Sequence, residues 1–248
     1  MDLGLNDKVC VVTGSTGGIG LAVARQLQAE GAQVVTSGRR PDGAGELHVA
    51  GDLTQPGAPE RLVAAAEERF GRVDCLVNNV GGTEIRTLEQ LTDEDWQRSF
   101  ELNLMTAIRT TRAVLRGMRE RGSGAIVNVS STSGKRPSAS LPEYSVMKAG
   151  MLSYSRLVAD VYAKDGIRCN AVTPGPTATE AWTGAGGLAE QQGDRDEVLA
   201  KVGGGRPLGR LAEPDEIAAV IVFLLSERAS YVTGAAWSAD GGTVPIII

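Results

Sequence analysis

Short apolar runs alternate with longer amphipathic stretches along the whole chain. Each run has the length of a buried strand, and most intervals between the runs carry the periodicity of a helix. The runs predict seven strands: Lys8–Thr13, Gln33–Ser37, Leu47–Ala50, Asp74–Val77, Ala125–Val129, Ile167–Val172 and Ala235–Ser238. Because parallel strands need long crossovers, this alternation predicts an α/β fold: a doubly wound parallel sheet with helices on both faces.

Two segments depart from this rhythm. The sequence GRRPDGAGE, residues 38–46, is too short and too rich in glycine for a helix, so we expect a loop between the second and third strands. The segment Ala178–Gly205 is rich in glycine and polar residues, and we expect an irregular, mobile lid there. No repeat or linker divides the sequence, which predicts one domain over residues 1–248.

Composition and charge narrow the class of protein. Hydrophobic residues make up 42% of the chain, enough for a large core. A net charge of -5 and a pI near 5.1 leave no basic excess to bind a phosphate backbone, so nucleic acid is not an expected partner. No apolar run reaches the roughly 18 residues of a membrane-spanning helix, and the N-terminus does not resemble a signal peptide. We therefore expect a cytoplasmic protein that does not associate with a membrane.

The three cysteines and the single histidine do not have the spacing of a metal site. Cys10, Cys75 and Cys169 each lie at or beside an apolar run, and no two of them form a CxxC pair. This arrangement favours reduced thiols in the core over a disulfide or a zinc site. Because His48 has no second histidine with which to bind a metal, we interpret it as structural or solvated.

The first motif with chemical meaning is TGSTGGIG, residues 13–20, which follows the first strand and precedes an amphipathic helix. Glycines let the backbone approach a pyrophosphate closely, and a helix N-terminus offers free N–H groups with a partial positive charge. This strand-turn-helix context indicates a dinucleotide site at Gly14, Gly18 and Gly20. The alternative is an ordinary strand-to-helix turn that needs glycine.

The end of the second strand bears on which dinucleotide binds. An acidic residue at this point would bind the ribose 2′-hydroxyl of NAD. The chain instead reads SGRR, residues 37–40, with two cations, Arg39 and Arg40, and no carboxylate. Charge-assisted hydrogen bonds from these arginines would favour the 2′-phosphate of NADP. The alternative is that both arginines are merely solvated.

Three polar or turn-forming segments follow later strands. They are NNVG at residues 78–81, SS at residues 130–131 and PG at residues 174–175. Because all three positions are carboxyl ends of strands, they should meet at the edge of the sheet where ligands bind. Each segment alone could equally be a turn or a helix cap.

The segment YSVMK puts Tyr144 and Lys148 four residues apart on one helix face. That spacing alone more often reflects an exposed aromatic beside a solvated lysine. The order of the surrounding motifs favours a functional pair, because the chain resembles the short-chain dehydrogenase/reductase family in its common single-domain form. Nearly the whole chain carries the resemblance, in the motifs TGSTGGIG, AGDLT, NNVGG, LNLM, IVNVSS, YSVMK, NAVTPGPTAT and YVTGAAWSADGG.

This resemblance implies a Rossmann fold and an oxidoreductase that interconverts a ketone or aldehyde with an alcohol by hydride transfer. Tyr144 matches the family's acid/base, and Lys148 matches the lysine that holds the nicotinamide ribose and, together with the oxidised nicotinamide, lowers the pKa of the tyrosine. Ser131, thirteen residues before the tyrosine, matches the serine that hydrogen-bonds the substrate oxygen. Asn103 matches the asparagine associated with a water behind the lysine.

The resemblance also assigns a cofactor site. Asp52 and Leu53 match the pair that contacts adenine, and Thr179 matches the threonine that binds the nicotinamide carboxamide. The full predicted set is Gly14, Ser15, Thr16, Gly18, Ile19, Gly20, Arg39, Arg40, Asp52, Leu53, Asn79, Gly81, Tyr144, Lys148, Pro174, Gly175, Thr177 and Thr179. Three departures from the family pattern are NNVG for the usual NNAG, Met147 before the lysine, and Gly17 where NADP-dependent members often carry a basic residue.

The sequence indicates the identity of the substrate less clearly than that of the cofactor. Gly82, Leu141, Pro142 and Trp182 are expected to form an apolar wall around the reacting carbon. Resemblance to 3-oxoacyl-carrier-protein reductases is no stronger than to other members. Three alternatives stay open: an NAD-dependent alcohol dehydrogenase, a nucleotide-sugar epimerase or dehydratase, and a catalytically silent cofactor-binding regulator.

The resemblance further implies a homo-oligomer, with a homotetramer as the expected state. Its subunits would pair through the helices around Trp96–Arg119 and Tyr144–Lys164. The apolar tail VPIII, residues 244–248, would be costly to leave in water and supports burial between subunits. The alternative is that this tail folds back on its own subunit.

Overall fold

The computed structural model describes residues 2–245, which form a parallel sheet flanked by helices on both faces. Its strand order is β3-β2-β1-β4-β5-β6-β7. The strands are β1 (Val9–Thr13), β2 (Gln33–Gly38), β3 (Leu47–Ala50), β4 (Cys75–Asn78), β5 (Gly124–Val129), β6 (Ile167–Pro174) and β7 (Ala236–Ala239). The predicted doubly wound parallel sheet is confirmed, and every predicted strand lies within one or two residues of its observed bounds.

The helices occupy two layers. They are α1 (Gly18–Ala29), α2 (Ala58–Phe70), α3 (Asp93–Phe100), α4 (Thr106–Arg121), α5 (Thr132–Lys135), α6 (Pro142–Tyr162), α7 (Glu180–Thr183), α8 (Arg195–Gly204) and α9 (Pro214–Leu225). One core cluster packs α1 and α9 against the sheet, and the other packs α2, α4 and α6 against the opposite face. This arrangement leaves the carboxyl ends of the strands open along one edge, where the predicted motifs meet.

Buried side-chain hydrogen bonds tie the central strands to the helices behind them. The Asn78 amide at the end of β4 donates to Asn128 Oδ1 (2.8 Å) and to Thr111 Oγ1 (2.9 Å). The Asn128 amide in turn donates to Ser155 Oγ of α6 at 2.8 Å. Because polar groups in a core need partners, this network fixes α6, the helix of the YSVMK motif, against β5.

The loop predicted between β2 and β3 is confirmed, since residues 39–46 contain no helix. The expectation for Ala178–Gly205 is wrong in part, because α7, α8 and a 3-10 turn at Glu190–Gln192 lie within it. Asp194 begins α8 as its N-cap, accepting hydrogen bonds from the N–H groups of Asp196 and Glu197. Asp194 is a helix-capping residue that can be recognised in the sequence, but the high glycine content of the segment favoured the prediction of an irregular loop.

All three cysteines are free and buried, which confirms the interpretation of reduced core thiols. No helix within residues 2–245 is long and apolar enough to cross a membrane. Of the apolar tail VPIII, only Val244 and Pro245 belong to the described part of the chain, so the packing predicted for its last three residues lies outside it.

Candidate active site

A cleft of ≈ 1730 Å³ runs along the carboxyl ends of the strands. It brings together most of the residues predicted from sequence, although they are spread over the chain. The predicted residues that line it are Gly14, Thr16, Gly18, Ile19, Arg39, Arg40, Asp52, Leu53, Asn79, Gly81, Ser131, Tyr144, Lys148, Pro174, Gly175, Thr177 and Thr179. The other three, Ser15, Gly20 and Asn103, lie behind the lining.

The glycine-rich turn has the geometry of an anion cradle. Gly14 and Gly18 have φ of +63° and +53°, a conformation that side chains disfavour. The N-cap of α1 is Gly17, and no side chain among the described residues caps this helix or adds an acid to its first turn. The first N–H groups of α1 therefore remain available to a phosphate, which fits the predicted pyrophosphate site.

Two of the predicted cofactor residues shape this turn from behind. The Ser15 hydroxyl is fully buried; it donates to Val12 O at 2.7 Å and accepts from the Ser37 N–H at 3.0 Å. A Cβ at Gly20 would lie 2.4 Å from Gly14 O, so α1 can approach the turn only with glycine at this position. Asn79 lines the cleft, yet its amide donates to Gly14 O at 2.9 Å and serves to hold the turn.

Arg40 lies across the glycine-rich turn. Its guanidinium donates to Thr16 O, and a Cβ at Gly17 would be 2.9 Å from Arg40 Nη2. Gly17, noted above as a departure from NADP-dependent members, thus leaves the space that the Arg40 cation occupies. A Cβ at Gly38 would be 2.6 Å from Thr16 Cγ2. A carboxylate side chain at the end of β2, as NAD binding would require, would therefore meet Thr16.

Ser131 and Tyr144 meet inside the cleft. Ser131 is the N-cap of α5, and its oxygen accepts a hydrogen bond from the Ser133 N–H at 3.1 Å. Burial raises the pKa of the Tyr144 phenol to about 12, and a hydrogen bond from Ser131 opposes this shift. The two hydroxyl groups therefore lie close enough to interact within the cleft.

Lys148 lies one helical turn from Tyr144 and is 2% exposed. Its ammonium donates to Val129 O at 2.8 Å and lies 5.4 Å from the centroid of the Tyr144 ring. Burial lowers the pKa of Lys148 to about 8. Loss of solvent around the phenol is the largest influence on the pKa of Tyr144, and the lowering expected from Lys148 together with a bound nicotinamide stays a prediction.

Asn103 supports this pair from behind the cleft wall. It is fully buried in a π-helical turn, Glu101–Met105, between α3 and α4. Its side chain forms two hydrogen bonds with the Gly82 backbone, accepting from N–H at 2.9 Å and donating to the carbonyl at 3.0 Å. A Cβ at Gly81 would be 2.9 Å from Asn103 Oδ1 and 3.2 Å from Lys148 Nζ. Asn103, Gly81 and Lys148 therefore converge on one point.

The segment after β6 closes the other side of the cleft. Thr177 Oγ1 donates to Gly175 O at 2.9 Å, and the Thr179 methyl group packs against Gly18 of the glycine-rich turn. Glu180, which begins α7, lies 3.8 Å from the Arg40 guanidinium. Glu180 was not predicted from the sequence, because only the fold brings it opposite Arg40.

The substrate side is more polar than predicted. Gly82, Leu141 and Trp182 line the cleft as expected, whereas Pro142 begins α6 and does not line it. Several polar residues that line the cleft were not predicted from the sequence: Arg136, Ser138, Ser140, Gln191, Gln192 and Arg206. Gln191 accepts a hydrogen bond from the Ile85 N–H at 2.7 Å, so the predicted lid contacts the opposite wall. Its motion on ligand binding stays a prediction.

The chain is similar to known oxidoreductases over nearly its whole length. A family sequence model described as enoyl-(acyl carrier protein) reductase matches residues 14–244. The chain is 40% identical to L-rhamnose 1-dehydrogenase (NAD(P)(+)) of Azotobacter vinelandii, over 96% of this chain and 97% of that protein. It is 35% identical to 3-oxoacyl-[acyl-carrier-protein] reductase FabG of Vibrio cholerae, over 97% and 98% of the two chains.

Among solved structures, L-sorbose reductase of Gluconobacter frateurii, complexed with NADPH and L-sorbose, is similar over 100% of both chains. The TM-score is 0.93 and the identity is 36%. The chain therefore shares its fold with that reductase over the full length of both proteins.

Proposed function

The chain belongs to the short-chain dehydrogenase/reductase family, and we propose that it is an NADP(H)-dependent oxidoreductase that interconverts a ketone or aldehyde with an alcohol. One observation carries this proposal: Ser131, Tyr144 and Lys148 line the same cleft as an uncapped, glycine-rich helix N-terminus. This combination supplies an anion site for a dinucleotide and an acid/base beside it.

In this mechanism, Tyr144 and Ser131 act on the substrate oxygen, and Lys148 acts on the cofactor and on Tyr144. The cleft would hold NADPH, which when bound would supply the hydride for the carbonyl carbon. Tyr144 gives its proton to the carbonyl oxygen, and its raised pKa of about 12 keeps the phenol protonated near neutrality. Ser131 donates its hydroxyl hydrogen to the same oxygen and orients it. Oxidation of the alcohol follows the same steps in reverse.

Lys148 holds the ribose next to the nicotinamide and stabilises the tyrosinate left after proton transfer. One of its three N–H donors is used by Val129 O at 2.8 Å, and the side chain reaches the cleft lining. Asn103 acts through Gly81 and Gly82, whose backbone it holds beside the lysine. Within the described chain, these contacts support Asn103 as a positioning residue for Lys148.

Preference for NADP(H) over NAD(H) is the finer part of the proposal. Two arginines and no carboxylate follow β2, and Arg40 already lies over the turn that would hold the pyrophosphate. L-sorbose reductase, the similar structure, was solved with NADPH. A charge-assisted contact to a phosphate contributes on the order of 1.5–3 kcal/mol, enough to set a preference.

A silent cofactor-binding regulator and a nucleotide-sugar epimerase are weaker candidates. A regulator would have no chemical need for Ser131, Tyr144 and Lys148 together in one cleft. The proteins compared above are named as dehydrogenases or reductases, which favours hydride transfer to a carbonyl compound over epimerisation. We further propose that residues 1–248 form one domain and that the protein is cytoplasmic, with a small carbonyl or alcohol compound as its partner and no nucleic acid.

The direct test is oxidation of the reduced cofactor by a panel of carbonyl compounds. We expect the purified protein to oxidise NADPH with at least one ketone from a panel of 3-oxoacyl thioesters, 3-oxo acids, ketoses and ring ketones, and to do so more efficiently than NADH. An enoyl thioester serves as the control, because the matching family model is described as an enoyl reductase. Reduction of the enoyl thioester alone, or tighter binding of NADH than of NADPH, would contradict the proposal.

We propose that the protein is a homotetramer that pairs through α6. Val146, Leu157 and Val161 are 54%, 58% and 44% exposed, and their spacing puts them on one face of this helix. Such a stripe is costly to leave in water. Light scattering should give a tetramer mass, and Leu157→Glu should reduce it. Tyr231→Ser is the matched control, because Tyr231 is fully exposed outside α6. A monomer mass for the wild type at micromolar concentration would refute the assembly.

A further inference from the structure

The loop from 39 to 46 replaces the helix that would ordinarily connect two parallel strands, and His48 lies beneath it. We propose that His48 is a positioning residue for cofactor selection: its ring fixes the backbone of Arg40 and, through it, the guanidinium that meets the 2′-phosphate of NADP. This inference rests on the proposed NADP preference. It assigns the histidine, structural or solvated on sequence alone, a part in recognition.

Both ring nitrogens of His48 are engaged. Nε2 is 2.9 Å from the Arg40 carbonyl oxygen, and because a carbonyl only accepts, Nε2 carries the hydrogen and donates it. Nδ1 is 2.9 Å from Thr36 Oγ1 on the neighbouring strand. Thr36 and His48 are register partners in β2 and β3, and Thr36 is fully buried. The rigid sheet therefore holds the ring from one side while the ring holds Arg40 from the other.

The rest of the loop packs around the same ring. A Cβ at Gly43 would be only 2.1 Å from His48 Nδ1, so the backbone of Gly43 lies directly against the imidazole. Gly45 has φ of +107°, and a Cβ there would be 2.6 Å from Val34 O. The Thr36 hydroxyl also contacts Ala44 O. His48 therefore lies against a closely packed loop, in contact with Arg40, Thr36 and Gly43.

The position of the Arg40 guanidinium depends on the position of the Arg40 backbone, because a single side chain connects the two. The guanidinium donates to Thr16 O and lies in the space over Gly17, where the ribose end of a dinucleotide would bind. The nearest carboxylate, Glu180, is 3.8 Å away and more than half exposed, so it screens the cation weakly. The hydrogen bond from His48 to the Arg40 carbonyl fixes the backbone end of this side chain, and Thr16 O holds its guanidinium end.

The competing explanation is that His48 only stabilises the loop. A purely structural role would lower thermal stability and weaken both cofactors alike. A positioning role would weaken NADP alone, because only the 2′-phosphate needs the Arg40 cation at a defined point. The ratio of the dissociation constants, Kd(NAD⁺)/Kd(NADP⁺), separates these explanations without any substrate.

Isothermal titration calorimetry on the full chain measures this ratio for the wild type and for variants. We expect His48→Phe to lower the ratio about tenfold through weaker NADP⁺ binding, with Kd for NAD⁺ changed less than about twofold. His48→Asn, whose amide is too short to reach the Arg40 carbonyl, should repeat this loss and serves if the Phe variant does not fold. His48→Gln, which keeps a donor near the Nε2 position, should recover most of the ratio.

Two further variants test whether His48 acts through Arg40. Arg40→Ala should lower the ratio by itself, and adding His48→Phe to it should change the ratio by less than about twofold. Gln28→Ala is the matched control, because Gln28 donates to Glu46 at 3.1 Å at the far end of the same loop and does not touch Arg40. The control should leave the ratio unchanged.

Two outcomes would overturn the inference and are distinguishable. A wild type that prefers NADP⁺, with the same ratio in His48→Phe and His48→Asn, would exclude the role of His48 and leave the cofactor proposal intact. A wild type without any preference would remove the cofactor proposal, and the inference with it. If His48→Phe lowers the ratio as much in the Arg40→Ala variant as in the wild type, His48 does not act through Arg40.

Discussion

Tyr144→Phe is expected to lower kcat and kcat/KM for carbonyl reduction by about 10²–10⁴-fold, because the substrate oxygen would lose its proton donor in the transition state. The loss should leave Kd for NADPH nearly unchanged, since the phenol oxygen matters to the transition state more than to the ground state. Steady-state kinetics with NADPH and any ketone found in the panel, together with a fluorescence titration of NADPH, measure both quantities.

The chain offers a matched control for this variant in Tyr154. It lies on the same helix, burial raises its pKa to about 12 as well, and it does not line the cleft. Tyr154→Phe should therefore keep full activity. A Tyr144→Phe enzyme within about threefold of wild type, less than about 1 kcal/mol in barrier, would end the mechanism proposed here.

Lys148→Ala is expected to weaken cofactor binding and to change the pH dependence of the reaction. Burial gives Lys148 a pKa of about 8, so its charge is present below that pH and is lost as the pH rises through it. The lysine charge stabilises the tyrosinate formed in reduction. We therefore expect kcat/KM of the wild type for reduction to fall about tenfold per pH unit above about pH 8.

In Lys148→Ala, reduction should be slow at every pH and should lack this alkaline fall. Alcohol oxidation, which needs the phenolate, should move further toward alkali, because the phenol loses its nearest cation. Lys164→Ala, an exposed lysine just beyond α6, is the control and should retain the wild-type profile. An unchanged profile in Lys148→Ala would assign the alkaline limb to another group.

Local patterns were sufficient to predict much of this molecule. The strands from β1 to β7 and the turn at Gly14 and Gly18 follow from runs of apolar residues and from glycine after a strand, both of which are properties of neighbouring positions. The YSVMK helix was predicted for the same reason. The roles of Tyr144 and Lys148 came from resemblance and remain predictions for the variants above.

Contacts between distant segments could not be predicted in this way. Arg40 opposite Glu180, Gly81 between Asn103 and Lys148, and Gln191 on the Ile85 backbone each join residues far apart in sequence. The raised pKa of Tyr144 belongs to the same class, because it depends on how much solvent the fold removes from the phenol. Helix α8, which was not predicted, does not depend on a distant contact, since its Asp194 cap can be recognised from neighbouring positions.

The loop between β2 and β3 has a consequence for how such an enzyme can diversify. None of its residues, 39–46, belongs to either of the two buried apolar clusters that hold the sheet and helices together. Substitutions at the exposed positions of this loop, other than Gly43 and Gly45, should therefore change the free energy of unfolding little, while under the proposed function they would act on the arginines that meet the ribose phosphate. Under the proposed function, we expect a few substitutions in this loop to change which nucleotide binds, without any change in Ser131, Tyr144 or Lys148.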